Sequence, residues 1–403
     1  MSEKYFLNCR TCRSVISPDK IHVQCPQCGK RLEICYNRYD VVKKDYPGIW
    51  AYVDLLPVTA HTHIVSLGEG NTPLTESKNV GEDLGLERLF FKNESLNPTW
   101  SFKDRCMSVG VSVVKEYNKS TVVTASSGNA AVSLAAYSAA AQLECYAFVQ
   151  DTISPAKLNQ LTAYGAHISI VERRKKGDPT VLAMEKMVKT HEMVPVPSFG
   201  LYNPYQQEGA KTISYEVCSQ LCEVPDWVIV PVGSGSLLCG VWKGFKEFLE
   251  AGVIQEVPKL LGVQAEGCSP VVDAFVEKRK VQMCENPHTV ASGLIDPYPW
   301  DGDAALEAVT ESNGYCMTVT DEEILQAQAL LASKEGIFGG PTGVVSVAGV
   351  GKAVVGDIIR GDELIVCLVT ESGLKELPAQ FFHKDSVVAG SSQRMKCEGD
   401  FNG

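Results

Sequence analysis

The chain has 403 residues, of which 45% are hydrophobic and 21% are charged, and its formal net charge is −11 at pH 7. This length is sufficient for two or three domains with hydrophobic cores of their own. The acidic balance argues against nucleic acid or a membrane surface as a partner, and the lack of any run of about 18 apolar residues argues against a membrane span.

The first 40 residues are predicted to form a separate cysteine-rich module. Two Cys-x-x-Cys pairs, separated by twelve residues, can arrange four thiolates in a tetrahedron, which favours zinc first and iron second. So short a segment builds only a marginal core, so a structural metal is expected to stabilise it. Free or disulfide-bonded thiols are the alternative, and Cys35 lies outside the pattern. The predicted ligands are Cys9, Cys12, Cys25 and Cys28.

Fifteen cysteines in all, without an apolar signal peptide near the N-terminus, indicate a reducing, cytoplasmic compartment.

Beyond the cysteine module, short β-branched runs alternate with helical patterns. Strands are predicted at 121–124, 227–232 and 363–369, which favours parallel sheets covered by helices. Ligands in such folds bind at the carboxyl ends of the strands. The polar tail at 391–403 is predicted to be frayed.

Lys103 lies in the segment Asn-Pro-Thr-Trp-Ser-Phe-Lys-Asp-Arg at residues 97–105. The turn residues and the apolar run that follows predict a helix start, with Ser101 as the N-cap and Lys103 in the first turn. An amine held there loses its charge readily and can form a Schiff base with an aldehyde. By position alone, a solvated surface lysine is the simpler interpretation.

Two further loops each follow a predicted strand and open a predicted helix. The Gly-Ser-Gly-Ser-Leu segment at 233–237 allows backbone amides and two hydroxyls to approach an anion, although it is also consistent with a plain strand–helix turn. The Ser-Ser-Gly-Asn segment at 126–129 can hold the α-carboxylate of an amino acid, or can simply cap its helix. No Gly-x4-Gly-Lys-Ser/Thr motif is present to indicate a nucleotide triphosphate site.

The lysine segment resembles the pyridoxal-phosphate (PLP) lysine motif of the threonine synthase family, among the fold-type-II PLP enzymes. Four further segments match in order, at 68–74, 126–131, 233–236 and 370–375, so the resemblance covers roughly residues 45 to 380. It implies an α/β fold like that of the tryptophan synthase β subunit, with two parallel-sheet domains, an amino-acid substrate and a homodimer. The implied large domain comprises 41–90 and 205–390, and the smaller domain comprises 91–204.

The resemblance also implies a role for each matching residue. Lys103 would be the catalytic residue that binds PLP, Asn129 would bind its 3′-oxygen, and Thr370 or Ser372 would face the pyridine nitrogen. The substrate carboxylate would contact Ser126, Ser127 and Gly128. The cofactor phosphate would contact Gly233, Ser234, Gly235, Ser236 and Leu237.

Several positions depart from the family pattern. Trp100 replaces a glycine, and we expect a bulky indole there to reshape the substrate side of the pocket. Gln206 replaces the arginine thought to bind the substrate's phosphate, and a neutral amide provides no charge-assisted contact. Glu371 and Ser372 replace Gly-His. Asp296 lies in a further divergent segment, and a negative charge there could select an amine-bearing or neutral substrate.

Three functions therefore remain open. The first is threonine synthesis from O-phosphohomoserine and water. The second is a relative with another leaving group or nucleophile, either β-replacement on O-phosphoserine as in cysteate synthases or a threonine or serine ammonia-lyase. The third is a non-catalytic binding module, against which the intact lysine and phosphate loop argue.

Overall fold

A computed structural model describes residues 4–59, 61–172 and 178–376. The predicted tail at 391–403 and the last part of the predicted large domain, beyond 376, lie outside the described residues. Within the described part, no helix combines the length and the apolar character that a membrane span requires.

Thirteen strands in the described residues form three sheets, which are surrounded by twelve α-helices. The strands are β1 (Tyr5–Cys9), β2 (Val15–Ile16), β3 (Leu32–Tyr36), β4 (Leu74–Glu76), β5 (Arg88–Asn93), β6 (Thr121–Ala125), β7 (Glu144–Gln150), β8 (His167–Val171), β9 (Val194–Pro195), β10 (Trp227–Pro231), β11 (Lys259–Ala265), β12 (Tyr315–Val319) and β13 (Leu364–Val369). The helices are α1 (Val80–Leu84), α2 (Lys103–Glu116), α3 (Asn129–Ala141), α4 (Pro155–Ala163), α5 (Pro179–His191), α6 (Pro204–Ala210), α7 (Thr212–Leu221), α8 (Ser236–Glu250), α9 (Pro270–Glu277), α10 (Gly302–Glu311), α11 (Asp321–Glu335) and α12 (Val345–Val355).

The N-terminal module is an antiparallel sheet in the order β2-β1-β3. Its two longer strands bury alternate residues, as expected of a sheet with one face on a core and one face in water. The buried face packs into the main hydrophobic core of the protein, so the module is held by side-chain packing and not only by its chain connection.

Both larger sheets are mainly parallel. The smaller has four parallel strands in the order β8-β7-β6-β9, and the larger has six in the order β12-β11-β10-β13-β5-β4, with only β4 antiparallel. Every residue of β10 and β13 is buried, because a parallel strand covered by helices on both faces needs a continuous apolar run. The predicted parallel α/β architecture is therefore confirmed.

The distribution of the chain between the two parallel sheets determines where the candidate site lies. The strands of the smaller sheet fall between residues 121 and 195, and those of the larger sheet fall at 74–93 and 227–369. The segments predicted to bind ligands follow β6, β10 and β13 at their carboxyl ends. Because the carboxyl ends of parallel strands share one edge of a sheet, the fold brings these segments to one region between the two sheets.

Candidate active site

A cavity of about 870 Å³ lies between the two parallel sheets. This volume is within the range of small-molecule and cofactor sites, roughly 300–1,000 Å³. Lys103 lines it together with the two loops that precede α3 and α8 and with Thr370 after β13. The residues predicted to bind the cofactor and the substrate carboxylate that line this cavity are Lys103, Ser126, Ser127, Gly128, Asn129, Gly233, Ser234, Gly235, Ser236, Leu237 and Thr370.

Lys103 is the first residue of helix α2. Its side chain lines the cavity and is half-buried. Its Nζ donates a hydrogen bond to Ser198 Oγ at 2.5 Å and lies 4.6 Å from the centre of the Phe102 ring. Burial lowers the pKa of the Lys103 amine, an effect that negative charge on Asp296 partly opposes. A larger fraction of neutral amine is what a nucleophile or a base requires.

The two residues after Lys103 fix the helix start from which it projects. Asp104 accepts hydrogen bonds from the backbone N–H of Thr99 and from its hydroxyl, both at 2.6 Å. Arg105 is fully buried and pairs with Glu94 and Glu216 through contacts of 2.7 Å. These buried, mutually satisfied charges hold the first turn of α2 in one position.

Ser101 does not cap the helix as predicted from the sequence. Helix α2 begins at Lys103 with Phe102 at the capping position, and Ser101 Oγ is buried without a hydrogen-bond partner among the described residues. The segment instead forms a bridge with the chain after β13, in which Ser101 pairs with Glu371 and Phe102 N–H donates to the Thr370 carbonyl. Backbone pairing therefore replaces the side-chain cap.

The loop before α3 presents unpaired hydrogen-bonding capacity to the cavity. Gly128 has no side chain to cap α3, so the first N–H groups of the helix are available to a carboxylate. Asn129 Nδ2 donates to the carboxylate of Glu371, whereas Asn129 Oδ1 is buried without a partner in the described residues. A buried polar atom of this kind is normally satisfied, which fits a site that receives a polar group.

The glycine loop before α8 is arranged differently from the sequence expectation. Gly235 has a φ of +93°, and a Cβ at this position would lie 2.8 Å from the Asp301 carbonyl oxygen, so only glycine fits without strain. The Ser236 hydroxyl, expected to donate to an anion, donates instead to Asp301 Oδ2 at 2.6 Å. The backbone N–H groups at the start of α8 remain the donors directed at an anion.

Two residues with predicted roles lie outside the cavity lining. Ser372 Oγ accepts a hydrogen bond from Leu374 N and so caps a short 3₁₀ turn, whereas Thr370 lines the cavity. Trp100 is 42% exposed and has a φ of +67°, a left-handed backbone conformation that favours glycine. The glycine that the family has here is thus explained by the backbone. The indole is exposed and does not line the pocket that we expected it to reshape.

Gln206 also has no direct place in the cavity lining. It is fully buried on α6, where its Oε1 accepts from Ser198 N–H at 3.1 Å and its Nε2 donates to the Phe199 carbonyl at 3.2 Å. Ser198 in turn accepts the hydrogen bond of Lys103. Gln206 therefore supports the segment that contacts the lysine, rather than facing a leaving group as we expected.

Sequence reasoning missed or underweighted three cavity residues. Ser198 has a φ of +73°, a strained conformation for serine that often occurs at functional sites, and no sequence motif indicates it. Burial, and secondarily the charge of Asp178, raises the pKa of Asp296 to about 8, although Lys103 opposes this effect. Asp178 and Asp296 both line the cavity, and Glu285 is a third acidic residue in its lining.

The four predicted metal ligands lie together in the N-terminal module. All their sulfur atoms are within 4.8 Å of one another, with Cys9 Sγ 3.5 Å from Cys28 Sγ and Cys12 Sγ 3.6 Å from Cys25 Sγ. A tetrahedral zinc site with bonds of about 2.3 Å has sulfur–sulfur edges of roughly 3.8 Å. The cluster therefore has the size of a four-thiolate metal site.

Sequence comparison relates the chain to one family of cofactor-dependent enzymes. Residues 65–371 match the model of a family described as pyridoxal-phosphate dependent enzyme. A threonine synthase from Methanocaldococcus jannaschii is 40% identical over 405 aligned positions, covering 98% of this chain and 97% of that protein. A threonine synthase from Methanosarcina acetivorans is 35% identical, with 92% of each protein covered.

Structural comparison supports the same fold assignment. Maize serine racemase matches with a TM-score of 0.64 at 20% identity, covering 75% of this chain and 88% of the racemase. Threonine deaminase isoform 2 of Solanum lycopersicum matches with a TM-score of 0.64 at 21% identity, covering 82% and 92%. The predicted fold-type-II architecture is thereby confirmed. Similarities at this low sequence identity are evidence for the fold and not for the activity.

Proposed function

The chain belongs to the threonine synthase family of PLP-dependent enzymes. Within this family we propose that it eliminates phosphate from Cγ of O-phosphohomoserine and adds water at Cβ to form threonine. The observation that carries the proposal is the half-buried amine of Lys103, which lines one cavity together with two helix N-termini suited to anions. The near full-length similarity to threonine synthases at 35–40% identity supports this substrate first. Family membership also sets aside the non-catalytic alternative.

The residues of the cavity fit a bound PLP. Lys103 would hold its aldehyde carbon, the amides of 233–237 would hold its phosphate, and the unpartnered Oδ1 of Asn129 would meet a polar group of the ring. Bound in this way, PLP supplies an electron sink that stabilises negative charge at the substrate's α-carbon. Thr370, a hydroxyl rather than a carboxylate, would face the ring nitrogen and keep that sink weak, which favours elimination over transamination.

The chain's own groups would perform the proton transfers. Lys103 Nζ, whose lowered pKa increases the fraction of neutral amine, would remove the proton from the substrate's α-carbon and return a proton farther along the side chain. Ser198 Oγ, which accepts the amine's hydrogen bond, would direct Nζ toward these carbons. The N–H groups at the start of α3 would orient the substrate through its carboxylate.

A second candidate, in which the leaving group is not a phosphate, is favoured by a specific observation. Three acidic residues line the described cavity, namely Asp178, Glu285 and Asp296, and no arginine lines it. Lys157 also lines it, yet its amine is already paired with Glu376 at 3.0 Å. A dianionic phosphate would be poorly matched by such a lining, whereas a hydroxyl or amine would be accepted, as in β-replacement or ammonia-lyase chemistry on serine or threonine.

The test is a single-turnover absorbance scan of the holoenzyme against O-phosphohomoserine, O-phosphoserine, threonine and serine, with phosphate and ammonia release measured in parallel. Perturbation of the cofactor spectrum and phosphate release by O-phosphohomoserine alone would support threonine synthesis. A response only to serine or threonine with ammonia release would replace it with the second candidate. A response only to O-phosphoserine would overturn both candidates in favour of β-replacement on that phosphorylated substrate.

Lys103→Ala serves as the control for that scan, and Lys115→Ala, at the opposite end of α2, is the matched variant. We expect Lys103→Ala to lose the visible absorbance of the covalently bound cofactor and to slow turnover by at least about a thousandfold. Lys115→Ala should leave both unchanged. Retention of the visible band in Lys103→Ala would refute the assignment of the lysine.

We further propose that the four-cysteine cluster holds a structural zinc ion. The closed set of four thiolates leaves no open coordination position, and the site is in a module whose core is small. Cys9→Ser should lower the metal content and the thermal stability, whereas Cys35→Ser, on neighbouring β3, should alter neither. An unchanged metal-to-protein ratio in Cys9→Ser, measured by atomic absorption, would contradict the four-thiolate site.

A further inference from the structure

The cysteine module reaches the glycine loop of the active site through one arginine. Arg31 lies three residues after the last predicted metal ligand and immediately before β3. Its Nη1 donates to Asp301 Oδ1 at 2.8 Å, and its Nη2 donates to Gln207 Oε1 at 2.7 Å. The Asp301 side chain is completely buried, so this ion pair lies inside the protein rather than on its surface.

Asp301 connects that arginine to both walls of the cavity. Its Oδ2 accepts hydrogen bonds from Ser236 Oγ at 2.6 Å, from Gly200 N at 2.7 Å and from Gln207 Nε2 at 2.9 Å. Its backbone N–H donates to the Ser234 carbonyl at 2.9 Å. One carboxylate therefore anchors the glycine loop at two points and also the segment that follows Ser198.

A buried carboxylate behind this loop has an electrostatic cost. The amides of residues 233–237 face the cavity and suit an anion, but a negative charge on Asp301 repels any anion bound there. Among the ion pairs of the described residues, Arg31 is the cation that pairs with Asp301. Its positive charge neutralises the carboxylate while leaving the hydrogen bonds to Ser236 and Gly200 in place.

We propose that Arg31 is a positioning residue through which the cysteine module sets the affinity of the active site for PLP. It acts by neutralising Asp301 and thereby keeping the glycine loop both ordered and attractive to the cofactor phosphate. This inference rests on the proposed function in that it takes residues 233–237 as the phosphate site. Any ion that folds the cysteine module is, by the same contacts, linked to cofactor binding.

The experiment measures the dissociation constant for PLP by titrating the apo form of the full-length protein. Arg31→Gln should weaken PLP binding by roughly tenfold or more, because it leaves the Asp301 charge buried and uncompensated next to the phosphate. The double variant Arg31→Gln/Asp301→Asn should bind PLP more tightly than Arg31→Gln alone, because it removes the repelling charge as well. A merely structural role for Arg31 would change the stability of the apoprotein and leave the dissociation constant for PLP as it is in the native protein.

Arg10→Gln is the matched control, since Arg10 belongs to the same module but pairs with Glu33 and Glu307 at the surface. It should leave the dissociation constant for PLP unchanged. Thermal unfolding of each apoprotein, followed by circular dichroism, establishes that the variants fold. Should Arg31→Gln fail to fold, Arg31→Lys keeps the charge but loses the Gln207 contact, and it should bind PLP with an affinity between those of the native protein and an uncharged variant.

The outcomes separate this inference from the proposed function. Equal affinity for PLP in Arg31→Gln and the native protein would overturn the role of Arg31, as would a double variant no tighter than Arg31→Gln. If Gly235→Ala, which disturbs the loop backbone itself, leaves the affinity unchanged while Lys103→Ala loses the visible band, the loop assignment and this inference fail together but the lysine chemistry stands. If Lys103→Ala keeps that band, the proposed function itself fails.

Discussion

The two ends of the cavity are built by different means. At the lysine end, the residues that hold Lys103 in place are mostly its neighbours in sequence, since Thr99, Asp104 and Arg105 all lie within four positions of it. At the glycine-loop end, the loop has the backbone of an anion site, but its Ser236 hydroxyl donates to Asp301, which is itself paired with Arg31 of the cysteine module. Motif residues can therefore orient an amine locally, whereas the charge balance of an anion site is supplied from distant parts of the chain.

The largest effect on this comparison should come from breaking the buried charges at the lysine end. Arg105→Met leaves Glu94 and Glu216 buried with one fewer cationic partner, which should cost about 3–5 kcal/mol in the free energy of unfolding. Urea denaturation of the apoprotein measures this cost. Arg88→Met, which breaks a surface pair with Glu223, is the control and should change the stability by less than about 1 kcal/mol. Similar losses for the two variants would contradict the anchoring role of Arg105.

A pH effect should arise at Asp296, which interacts electrostatically with both Lys103 and Asp301. Burial raises the pKa of this carboxyl from its ordinary 3.8 to about 8, so its ionisation is opposed in the folded protein. A raised carboxyl pKa means that the folded state binds more protons, and the apoprotein should therefore lose stability as pH rises from about 4 to about 8.

In Asp296→Asn the unfolding temperature should fall less steeply with rising pH than in the native protein. Asp362→Asn, at an exposed position, should keep the native pH profile. An identical pH profile for native protein and Asp296→Asn would show that the carboxyl ionises in the fold as it does in water.

A smaller loss is expected from Gln206, which supports the lysine end from outside the cavity. Gln206→Leu keeps the volume but leaves Ser198 N–H and the Phe199 carbonyl without partners, at a cost of about 1–3 kcal/mol in unfolding free energy. Displacing Ser198 should also lower kcat more than it raises KM. Exposed Gln326→Leu, on α11, is the matched control. A change confined to KM for a phosphorylated substrate would instead return Gln206 to the leaving-group site.

The smallest effect, and one of opposite sign, should come from Trp100. Its left-handed backbone conformation is strained for any residue except glycine, so Trp100→Gly should stabilise the fold by up to about 1–2 kcal/mol, less the greater flexibility that glycine gives the unfolded chain. Because the indole is exposed and does not line the cavity, KM should remain unchanged. A shift in KM with substrate size would restore the sequence-based expectation that Trp100 shapes the pocket.

Regular patterns can be predicted from the sequence because they depend on neighbouring residues. The apolar runs of β10 and β13, the cysteine spacing of the N-terminal module and the loops preceding α3 and α8 are all recognisable in the linear chain. The predicted capping role of Ser101 is wrong for a physical reason, since the backbone there pairs with Glu371, a residue far away in sequence.

By itself, the sequence determined the parallel α/β fold and the PLP chemistry of the family, because both are encoded in short segments whose hydrophobic patterns and residue types act locally. Only the tertiary structure decided that Trp100 is exposed, that Gln206 supports Ser198 and that Arg31 pairs with Asp301. Direction, burial and charge compensation depend on residues brought together from distant positions, and a linear motif contains no information about these partners.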